Sequence, residues 1–274
     1  MTRELRSVTI LGLGEAGGAI ARDLLRAGVQ VRGYDPDTTR VVDGVELAPS
    51  EADAARGTQL VLSVNWSRVS LEVAQRVRPV LGADQVYAEM NTSAPARKLA
   101  VADALGPHAL VADVALMSPV PGKGIRTPML VSGPGARHFA ELLKQFDGPL
   151  SVLEGPVGLA ASRKLARSVF YKGLAAAVGE ALEAAALMGD EAERALRTDI
   201  ARTLTEADAS TVARLEEGSR LHAVRREEEM AAAAEMLRAL HLDPVMAEAT
   251  REWLARLARR DAPSSHTRSP TSMR

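Results

Sequence analysis

The sequence predicts two domains of different fold class, an α/β domain with a doubly wound parallel sheet and an all-α domain after it. Three observations indicate this. Short β-branched runs alternate with helical patterns in the first half of the chain. Residues 157 to 260 contain no strand-like run and are rich in Ala, Leu, Glu and Arg. The change falls at Gly155-Pro156, so we predict domains over 1–155 and 156–260, and a disordered tail over 261–274, which lacks apolar periodicity.

The periodicity of apolar residues places the elements in order. The predicted strands are Ser7–Gly12, Val29–Tyr34, Leu60–Val64, Gln85–Glu89, Leu110–Val114, Met129–Ser132 and Leu150–Leu153. A helix follows the first strand, and further helical windows are Ser50–Arg56 (with Ser50 as its N-cap), Ser67–Val80, Ala94–Leu105 and Ala136–Gln145. In the second domain, helices are expected to break near Met188-Gly189-Asp190 and near His241-Leu242-Asp243-Pro244.

A glycine-rich turn joins the first strand to the first helix. It reads Gly12-Leu13-Gly14-Glu15-Ala16-Gly17, and this order of strand, turn and helix is the context in which G-x-G-x-x-G predicts a dinucleotide site in a Rossmann-type domain. Gly12 permits the tight turn, Gly14 lets a pyrophosphate approach the backbone, and Gly17 lets the helix pack closely on the sheet. The helix N-terminus offers unpaired N–H groups to the phosphates. The alternative is a glycine-rich turn that binds no ligand.

An acidic residue ends the second strand. Asp35 lies 23 residues beyond Gly12, and a carboxylate at about that separation accepts hydrogen bonds from the adenosine ribose and repels a 2′-phosphate. The sequence therefore predicts NAD as the cofactor, while the nearby Arg40 leaves NADP open.

The composition of the chain excludes several classes of function. The chain has 274 residues with 34 basic and 35 acidic side chains, which gives no footprint for nucleic acid or an anionic membrane. It contains no cysteine, and no His, Asp or Glu cluster has metal-ligand spacing, so we expect no metal. No apolar run reaches 18 residues and the N-terminus lacks an apolar signal core, so a cytoplasmic protein is expected.

A lysine on the first helix of the second domain is a candidate acid–base group. At 100° per residue, Lys164, Ser168 and Tyr171 share one helix face, and Lys172 lies at its edge. An ammonium there can reach a cleft between the domains, donate its proton to a carbonyl oxygen that is being reduced, and act as base in the reverse direction. From composition alone, a solvated lysine on an exposed face is the more common arrangement.

Four motifs, in order, resemble the β-hydroxyacid dehydrogenases, which include 3-hydroxyisobutyrate, tartronate semialdehyde and 6-phosphogluconate dehydrogenases. They are the glycine turn, Glu89-Met90-Asn91-Thr92-Ser93 with Pro95, Asp113-Val114-Ala115-Leu116, and Gly158 followed by Lys164-Leu165. The resemblance spans roughly residues 7 to 190, and the segment 219–230 looks like the helical domain of an uncharacterised branch of this family.

This resemblance implies an NAD(P)-dependent oxidoreductase that transfers a hydride between nicotinamide and a carbonyl or alcohol carbon of a small hydroxy-acid-like metabolite. It implies that Lys164 is the proton donor, that Thr92 lies near the nicotinamide and the substrate, and that Asn65 contacts the cofactor. A homodimer through the helical domain is expected, because its long helices cannot bury all their apolar faces on the first domain.

The chain departs from the family at the substrate loop. The usual Asp-x-Pro-Val-Ser-Gly-Gly is replaced here by Asp113-Val114-Ala115-Leu116-Met117-Ser118-Pro119. Pro119 cannot donate an N–H, so Ser118 is expected to replace a lost contact through its hydroxyl. Ser168 stands where the family has asparagine and leaves more room. These changes suggest an acceptor other than a simple 3-hydroxy acid.

A second group of candidates lies late in the chain. His222 is spaced to share a helix face with Arg225, Arg226 and Glu229. An exposed, salt-bridged face is the more common reading, and the alternative has His222 and Arg226 binding substrate or cofactor phosphate. Two other functions stay open: an imine-reductase-like enzyme, although such relatives typically replace the lysine, and a non-catalytic dinucleotide-binding sensor.

Overall fold

The computed structural model describes residues 4–261 and contains one sheet of eight strands, in the order β3-β2-β1-β4-β5-β6-β7-β8. The strands are β1 (Ser7–Leu11), β2 (Gln30–Tyr34), β3 (Glu46–Leu47), β4 (Leu60–Ser63), β5 (Val86–Glu89), β6 (Leu110–Leu116), β7 (Met129–Ser132) and β8 (Leu150–Val152). All seven predicted strands are present, with ends that differ by at most two residues. Only β3, a two-residue strand exposed at the sheet edge, was not expected.

The sheet is mostly parallel, and the expectation of a parallel sheet is wrong at β7 and β8, which are parallel to each other but run opposite to the other six strands. β7 runs antiparallel to β6, with Leu116 opposite Met129. The segment 117–128 that joins them contains a single 3₁₀ turn, Gly124–Arg126, and no crossover helix. Antiparallel neighbours can be joined by such a short connection, whereas parallel neighbours need a longer crossover.

The helices fall in two groups. Those between the strands are α1 (Glu15–Arg26), α2 (Glu51–Ala55), α3 (Ser70–Val77), α4 (Pro95–Leu105) and α5 (Ala136–Leu143). Those after the last strand are α6 (Leu159–Met188), α7 (Asp190–Thr205), α8 (Ala209–Leu221), α9 (Ala223–Ala239) and α10 (Val245–Asp261). Ser50 caps α2 as expected, with its hydroxyl accepting a hydrogen bond from the Asp53 N–H at 3.1 Å.

Apolar side chains alternate along the central strands and fill both faces of the sheet. Leu60, Leu62 and Val86 pack on the face covered by α1 and α5, while Val61 and Tyr87 pack on the face covered by α2, α3 and α4. This period of two is the strand geometry expected from the sequence, and burial on both faces is typical of a parallel sheet. The carboxyl ends of the parallel strands are therefore left at one edge, where ligands bind in such sheets.

The helices after the last strand break at both places expected from the sequence, at Gly189 and before Val245. Two further breaks were missed. At one, Asp208 caps α8 by accepting the Thr211 N–H at 3.1 Å. At the other, His222 separates α8 from α9. None of the described helices is long and apolar enough to cross a membrane.

The described residues divide into two compact units between Val169 and Phe170, a division that falls within α6. The last strand ends near the boundary at 155 that the sequence suggests. The first unit extends further along the chain, and Val157, Ala160 and Ala161 are buried in it. In the second unit, Glu180 of α6 accepts the Met246 N–H at 2.7 Å, at the start of α10. The tail expected from residue 262 onward lies outside the described residues.

Candidate cofactor and active site

A groove of about 1000 Å³ lies at the carboxyl ends of β1, β2 and β4 in the first unit. Five of the six residues of the glycine turn line it, together with the predicted contacts Asp35 and Asn65. The five turn residues are Gly12, Leu13, Gly14, Glu15 and Ala16. The strand order reverses here, since β1 lies between β2 and β4, and this is the position at which doubly wound sheets bind dinucleotides.

The glycines of the turn have distinct physical roles. Gly12 has a φ of +104°, and a Cβ there would lie 2.5 Å from the Val64 carbonyl oxygen. Gly17 does not line the groove, but a Cβ there would lie 1.9 Å from the Gly12 carbonyl oxygen, so it permits the close packing of α1. Gly14 is the N-cap of α1 and supplies no capping side chain. The first N–H groups of α1 are therefore placed to bind an anion.

Asp35 has a structural role that sequence reasoning missed. Its side chain is only 5% exposed, and its Oδ2 accepts the Leu13 N–H at 2.7 Å, which ties the glycine turn to the end of β2. The Arg40 guanidinium lies 3.4 Å from the same oxygen and 3.2 Å from Asp37 Oδ2. A carboxylate has room for further donors, so this arrangement is compatible with a ribose contact. Arg40 also lines the groove, beside Gly14.

The groove has a further wall that the sequence did not reveal. Trp66 is 62% exposed, and the Arg68 guanidinium lies 5.2 Å from its ring centroid. Arg76 donates a hydrogen bond to Glu51 Oε1 at 2.8 Å. All four side chains line the groove. Trp66 and Arg68 follow the end of β4 by three and five residues, and this position, near the carboxyl end of a parallel strand, is the signal that could have identified them.

Lys164 and Thr92, predicted separately, are brought together. Lys164 Nζ donates a hydrogen bond to Thr92 Oγ1 at 2.8 Å. Thr92 follows the carboxyl end of β5, and α6 carries Lys164 within the first unit. Burial holds the pKa of Lys164 below its ordinary value of 10.5, and the positive charge of Lys98 lowers that pKa further. A partly buried lysine with a lowered pKa is typical of a general acid–base group.

Hydrogen-bonded amides connect the cofactor groove with this lysine. Asn65, which lines the groove, accepts a hydrogen bond from Asn91 Nδ2 at 3.1 Å. Asn91 in turn lines a small cavity shared with Thr92 and Lys164. Both asparagines also donate to Ser63 Oγ, at 3.1 and 3.3 Å. The predicted cofactor and catalytic residues thus occupy one continuous edge of the sheet.

The predicted substrate residues are less closely grouped. Ser118 Oγ lies 3.0 Å from Lys123 Nζ, which donates to it, so the substituted loop contains a hydroxyl beside an ammonium. Ser168 is partly buried, one helical turn beyond Lys164 on α6. Tyr171 and Lys172 belong to the second unit, where the ring of Tyr171 packs edge-on against Phe170 with centroids 5.1 Å apart.

The expected helix face around His222 is wrong for His222 itself. This residue lies between α8 and α9 with φ −114° and ψ 23°, outside both helices. The His222 N–H still bonds to the Gly218 carbonyl at the end of α8, and the His222 carbonyl accepts the Arg226 N–H at the start of α9. Arg226 donates to Ser219 Oγ at 3.0 Å, and Arg225 pairs with Glu229 at 2.8 Å.

Comparisons with known proteins agree with the fold and with an NAD-binding first domain. Residues 7–122 match the NAD binding domain of 6-phosphogluconate dehydrogenase, and residues 191–257 match DUF1932, a domain of unknown function. The predicted NAD(P) cofactor and the resemblance to 6-phosphogluconate dehydrogenase-like proteins are thereby confirmed. The predicted combination of a Rossmann-type sheet with a helical C-terminal region is confirmed as well.

Solved structures share the fold of this chain. A conserved hypothetical protein from Sinorhizobium meliloti 1021 is 26% identical, with 97% of this chain and 93% of that chain covered and a TM-score of 0.62. MTH1747, a conserved protein of unknown function described as structurally similar to 3-hydroxyacid dehydrogenases, is 27% identical over 92% and 96% of the chains, with a TM-score of 0.61. An imine reductase from Myxococcus stipitatus in complex with NADP⁺ shares the fold at 17% identity, over 93% and 95%, with a TM-score of 0.76.

Proposed function

Given an NAD binding domain of the 6-phosphogluconate dehydrogenase type, we propose that this protein is an NAD(P)-dependent oxidoreductase. It acts on a carbonyl or alcohol carbon of a small hydroxy-acid-like metabolite, with Lys164 as general acid and base. The observation that carries this proposal is the 2.8 Å hydrogen bond from Lys164 Nζ to Thr92 Oγ1, on the sheet edge that also forms the cofactor groove.

The residues of the groove fit a dinucleotide. A side chain at Gly12 would collide with the Val64 carbonyl, and the N-terminus of α1 is open to a pyrophosphate beside Gly14. Asp35 offers its carboxylate to the adenosine ribose, which favours NAD, while Arg40 beside it leaves NADP open. When bound, the nicotinamide supplies or accepts the hydride.

Lys164 would handle the proton. Its ammonium form donates a proton to the oxygen of the carbonyl as that oxygen gains negative charge, and its amine form removes the hydroxyl proton in the oxidative direction. The lowered pKa of Lys164 makes the amine form more accessible near neutral pH than it is for a solvated lysine. Thr92 holds Nζ in place through its hydroxyl oxygen.

Two candidate substrate contacts lie on the loop after β6 and on α6. Ser118, with Lys123 beside it, offers a hydroxyl and a positive charge in place of the backbone amides of related dehydrogenases, which supports an anionic group on the substrate. Ser168, one turn past Lys164, leaves space for a larger substrate. Contacts from Tyr171 and Lys172 remain predictions from their helical spacing relative to Lys164, and contacts from His222 and Arg226 remain predictions that rest on the family resemblance.

An imine-reductase-like reaction is the second candidate, because the fold likeness to imine reductases has the higher TM-score. In that case the hydride adds to the carbon of a C=N bond and the nitrogen takes a proton, for which Tyr171 or a substrate ammonium is the source in place of Lys164. A non-catalytic dinucleotide sensor is the third candidate, since it would need the groove and no lysine.

One assay distinguishes the three candidate functions. Trp66 lines the groove, so NADH and NADPH binding can be followed by quenching of its fluorescence. The purified protein is then offered aldehydes, hydroxy acids and cyclic imines with each cofactor. Turnover of hydroxy acids or their carbonyl forms supports the proposal, and turnover of imines alone favours the second candidate. Cofactor binding without turnover across the panel favours the sensor.

We also propose a homodimer formed through the helical domain. Large apolar side chains of the second unit remain exposed, among them Phe170, Leu187, Val212, Leu215, Leu221 and Val224. An apolar surface of this kind is typical of an interaction site. Light scattering at micromolar concentration should give twice the chain mass, and Leu215→Lys should shift it toward the monomer. A wild-type monomer would contradict the assembly but leave the fold intact.

A further inference from the structure

A lysine is completely buried between two carboxylates beneath the candidate active site. Lys98 of α4 is 1% exposed, and its Nζ donates to the Glu89 carbonyl oxygen at 2.6 Å. The same Nζ lies 3.2 Å from Asp113 Oδ1 and 3.7 Å from Glu89 Oε1. Glu89 and Asp113 are register partners on β5 and β6, so the pairing of these strands places both carboxyl groups beside one ammonium. Buried ionic groups are tolerated only when they are paired in this way.

The second oxygen of Asp113 holds the beginning of α6. Asp113 Oδ2 accepts the N–H groups of Gly158 at 2.9 Å and Ala161 at 3.1 Å. Ser132 Oγ, 3.3 Å from the same oxygen, accepts the Ala160 N–H at 3.0 Å. Lys164 comes three residues after Ala161, about one helical turn further along. The position of Lys164 is therefore fixed by a helix end that is anchored on Asp113.

We propose that Lys98 is a positioning residue for Lys164, because it neutralises the buried carboxylate on which the first turn of α6 is held. This inference rests on the acid–base role proposed for Lys164. Lys98 does not contact the groove, but its side chain and that of Lys164 line the same small cavity, together with Thr92. Without the ammonium of Lys98, Asp113 would be an unpaired buried charge, and the anchor of the helix would be lost.

The same arrangement of charges affects the pKa values of Lys164 and Glu89. Lys98 is faced by Glu89 from β5 and Asp113 from β6, and Lys164 of α6 shares its cavity. The positive charge of Lys98 contributes to the lowered pKa of Lys164, after the larger effect of burial. Burial also raises the pKa of Glu89, an effect that the nearby charge of Lys98 partly opposes. Lys98 and Asp113 form the shortest of these ion-pair contacts, at 3.2 Å, beside the cavity that Lys164 also lines.

The test measures the titration of Lys164 directly, without any substrate. Full-length protein is labelled with trace acetic anhydride over a pH series, and the modification of each lysine is followed by peptide mass spectrometry. Glu89→Gln removes one carboxyl group and keeps Lys98. The double variant Lys98→Met, Glu89→Gln removes the positive charge as well, while leaving Asp113. The comparison of these two variants isolates Lys98, and the exposed Lys172 on the same helix is the internal control.

We expect the labelling midpoint of Lys164 to rise by at least about half a pH unit in the double variant relative to Glu89→Gln. Lys172 should not change. In Glu89→Gln alone, the Lys164 midpoint should stay or fall, since Lys98 keeps its charge. An unchanged midpoint in a folded double variant would overturn the proposal. If the double variant does not fold, a rise in Glu89→Gln alone would overturn it, and a midpoint that stays or falls there supports it.

These outcomes are separate from those that test the enzymatic role. If Lys164→Met keeps normal turnover, the proposed function fails whatever the labelling shows. If Lys164→Met loses turnover while the two Glu89 variants label identically, the acid–base role stands and the role of Lys98 is wrong.

Discussion

The two units of the chain bury their apolar side chains in different ways. In the first unit, clusters cover both faces of the sheet, with large side chains such as Ile10, Leu62 and Phe139 fully buried. The fully buried cluster of the second unit consists of Leu237 and three alanines. Alanines bring helices close together but bury little apolar area each. The first unit therefore has a large apolar core, whereas the second buries little apolar area in its own cluster and leaves large apolar side chains exposed.

The two units also differ in whether their charged side chains are buried. The first unit contains the buried group of Lys98, Glu89 and Asp113, with exposed fractions of 1% or less. In the second unit, ion pairs such as Arg197–Glu193 lie on helix surfaces, four residues apart. Buried ionic groups depend strongly on their partners, whereas exposed pairs contribute little. The loss of one charged side chain should therefore lower the free energy of unfolding much more in the first unit than in the second.

The largest effect should come from cutting the chain on either side of the first turn of α6. A chain that ends at Val169 keeps the hydrogen bonds from Gly158 and Ala161 to Asp113, and one that ends at Pro156 loses both. Hydrogen bonds to a charged acceptor contribute about 1.5–3 kcal/mol each, so we expect the shorter chain to lose about 3–6 kcal/mol in the free energy of unfolding. Urea unfolding followed by Trp66 fluorescence measures this difference.

Aggregation of the shorter chain together with NADH binding by the longer one would place the limit of the first unit near Val169. Equal stability of the two chains would instead support a boundary near 155, where the strand pattern of the sequence ends.

Lys164→Met should have the next largest effect, on chemistry alone. General acid–base groups contribute about 10²- to 10⁴-fold in rate, so kcat should fall by that factor. The groove is formed by other residues, and the dissociation constant of NADH should therefore stay within a few-fold. Lys172→Met on the same helix is the matched control and should change kcat much less. A near-normal kcat for Lys164→Met would remove the central residue of the mechanism.

The sequence was sufficient to predict the features that depend on local pattern. Strand periodicity predicted the bounds of β1 and β4 to within one residue. The glycine turn predicted the groove, because Gly12 and Gly17 stand at positions where a side chain would clash with the backbone. The hydrogen bond between Lys164 and Thr92 was not predicted; the family resemblance only placed both residues in the active site, because they are far apart in the chain.

Features that depend on tertiary contacts were not predictable from these patterns. Lysine is almost never buried without a partner, and the partners of Lys98 are assembled only when β5 and β6 pair. The bond from Asp35 to the Leu13 N–H likewise requires the end of β2 to lie beside the turn. The break at His222 has no Gly or Pro at the position itself, so the helical pattern appeared to continue through it.

The choice between NADH and NADPH tests the groove of the first unit at one side chain. Asp35→Ala removes the carboxylate that we propose binds the ribose, and it releases Arg40 to approach a 2′-phosphate. We expect the preference for NADH over NADPH to narrow by about 1–3 kcal/mol. Binding of both cofactors should also weaken, since the Leu13 N–H loses its acceptor. Fluorescence titration measures both constants.

Asp37→Ala is the control for that variant, because Asp37 also lies beside Arg40 but is partly exposed and does not bond to the turn. An unchanged preference in Asp35→Ala, or wild-type protein that binds NADPH as tightly as NADH, would contradict the role assigned to Asp35.

The pH dependence of turnover should report the environment of Lys164. The reductive direction needs the ammonium form, so kcat should be constant below the pKa of Lys164 and fall as pH rises through it, by up to about tenfold per unit. That pKa lies below the ordinary value of 10.5, so the loss should begin at lower pH than for a solvated lysine. The oxidative direction needs the amine, and its kcat should fall as pH drops through the same pKa. Identical profiles in the two directions would contradict this assignment.

The smallest effect should come from a charge on the second unit. Arg197 and Glu193 form a surface pair at 2.6 Å, and exposed pairs four residues apart on a helix contribute about 0.3–0.5 kcal/mol. The chain has two tryptophans, Trp66 in the first unit and Trp253 in the second, so Trp66→Phe leaves a reporter for the helices. In that background, Arg197→Ala should shift the urea midpoint only slightly, and added salt should remove the difference. A loss of several kcal/mol would mean that Arg197 is buried in an assembly, and the contrast between buried and exposed charge in the two units would no longer hold.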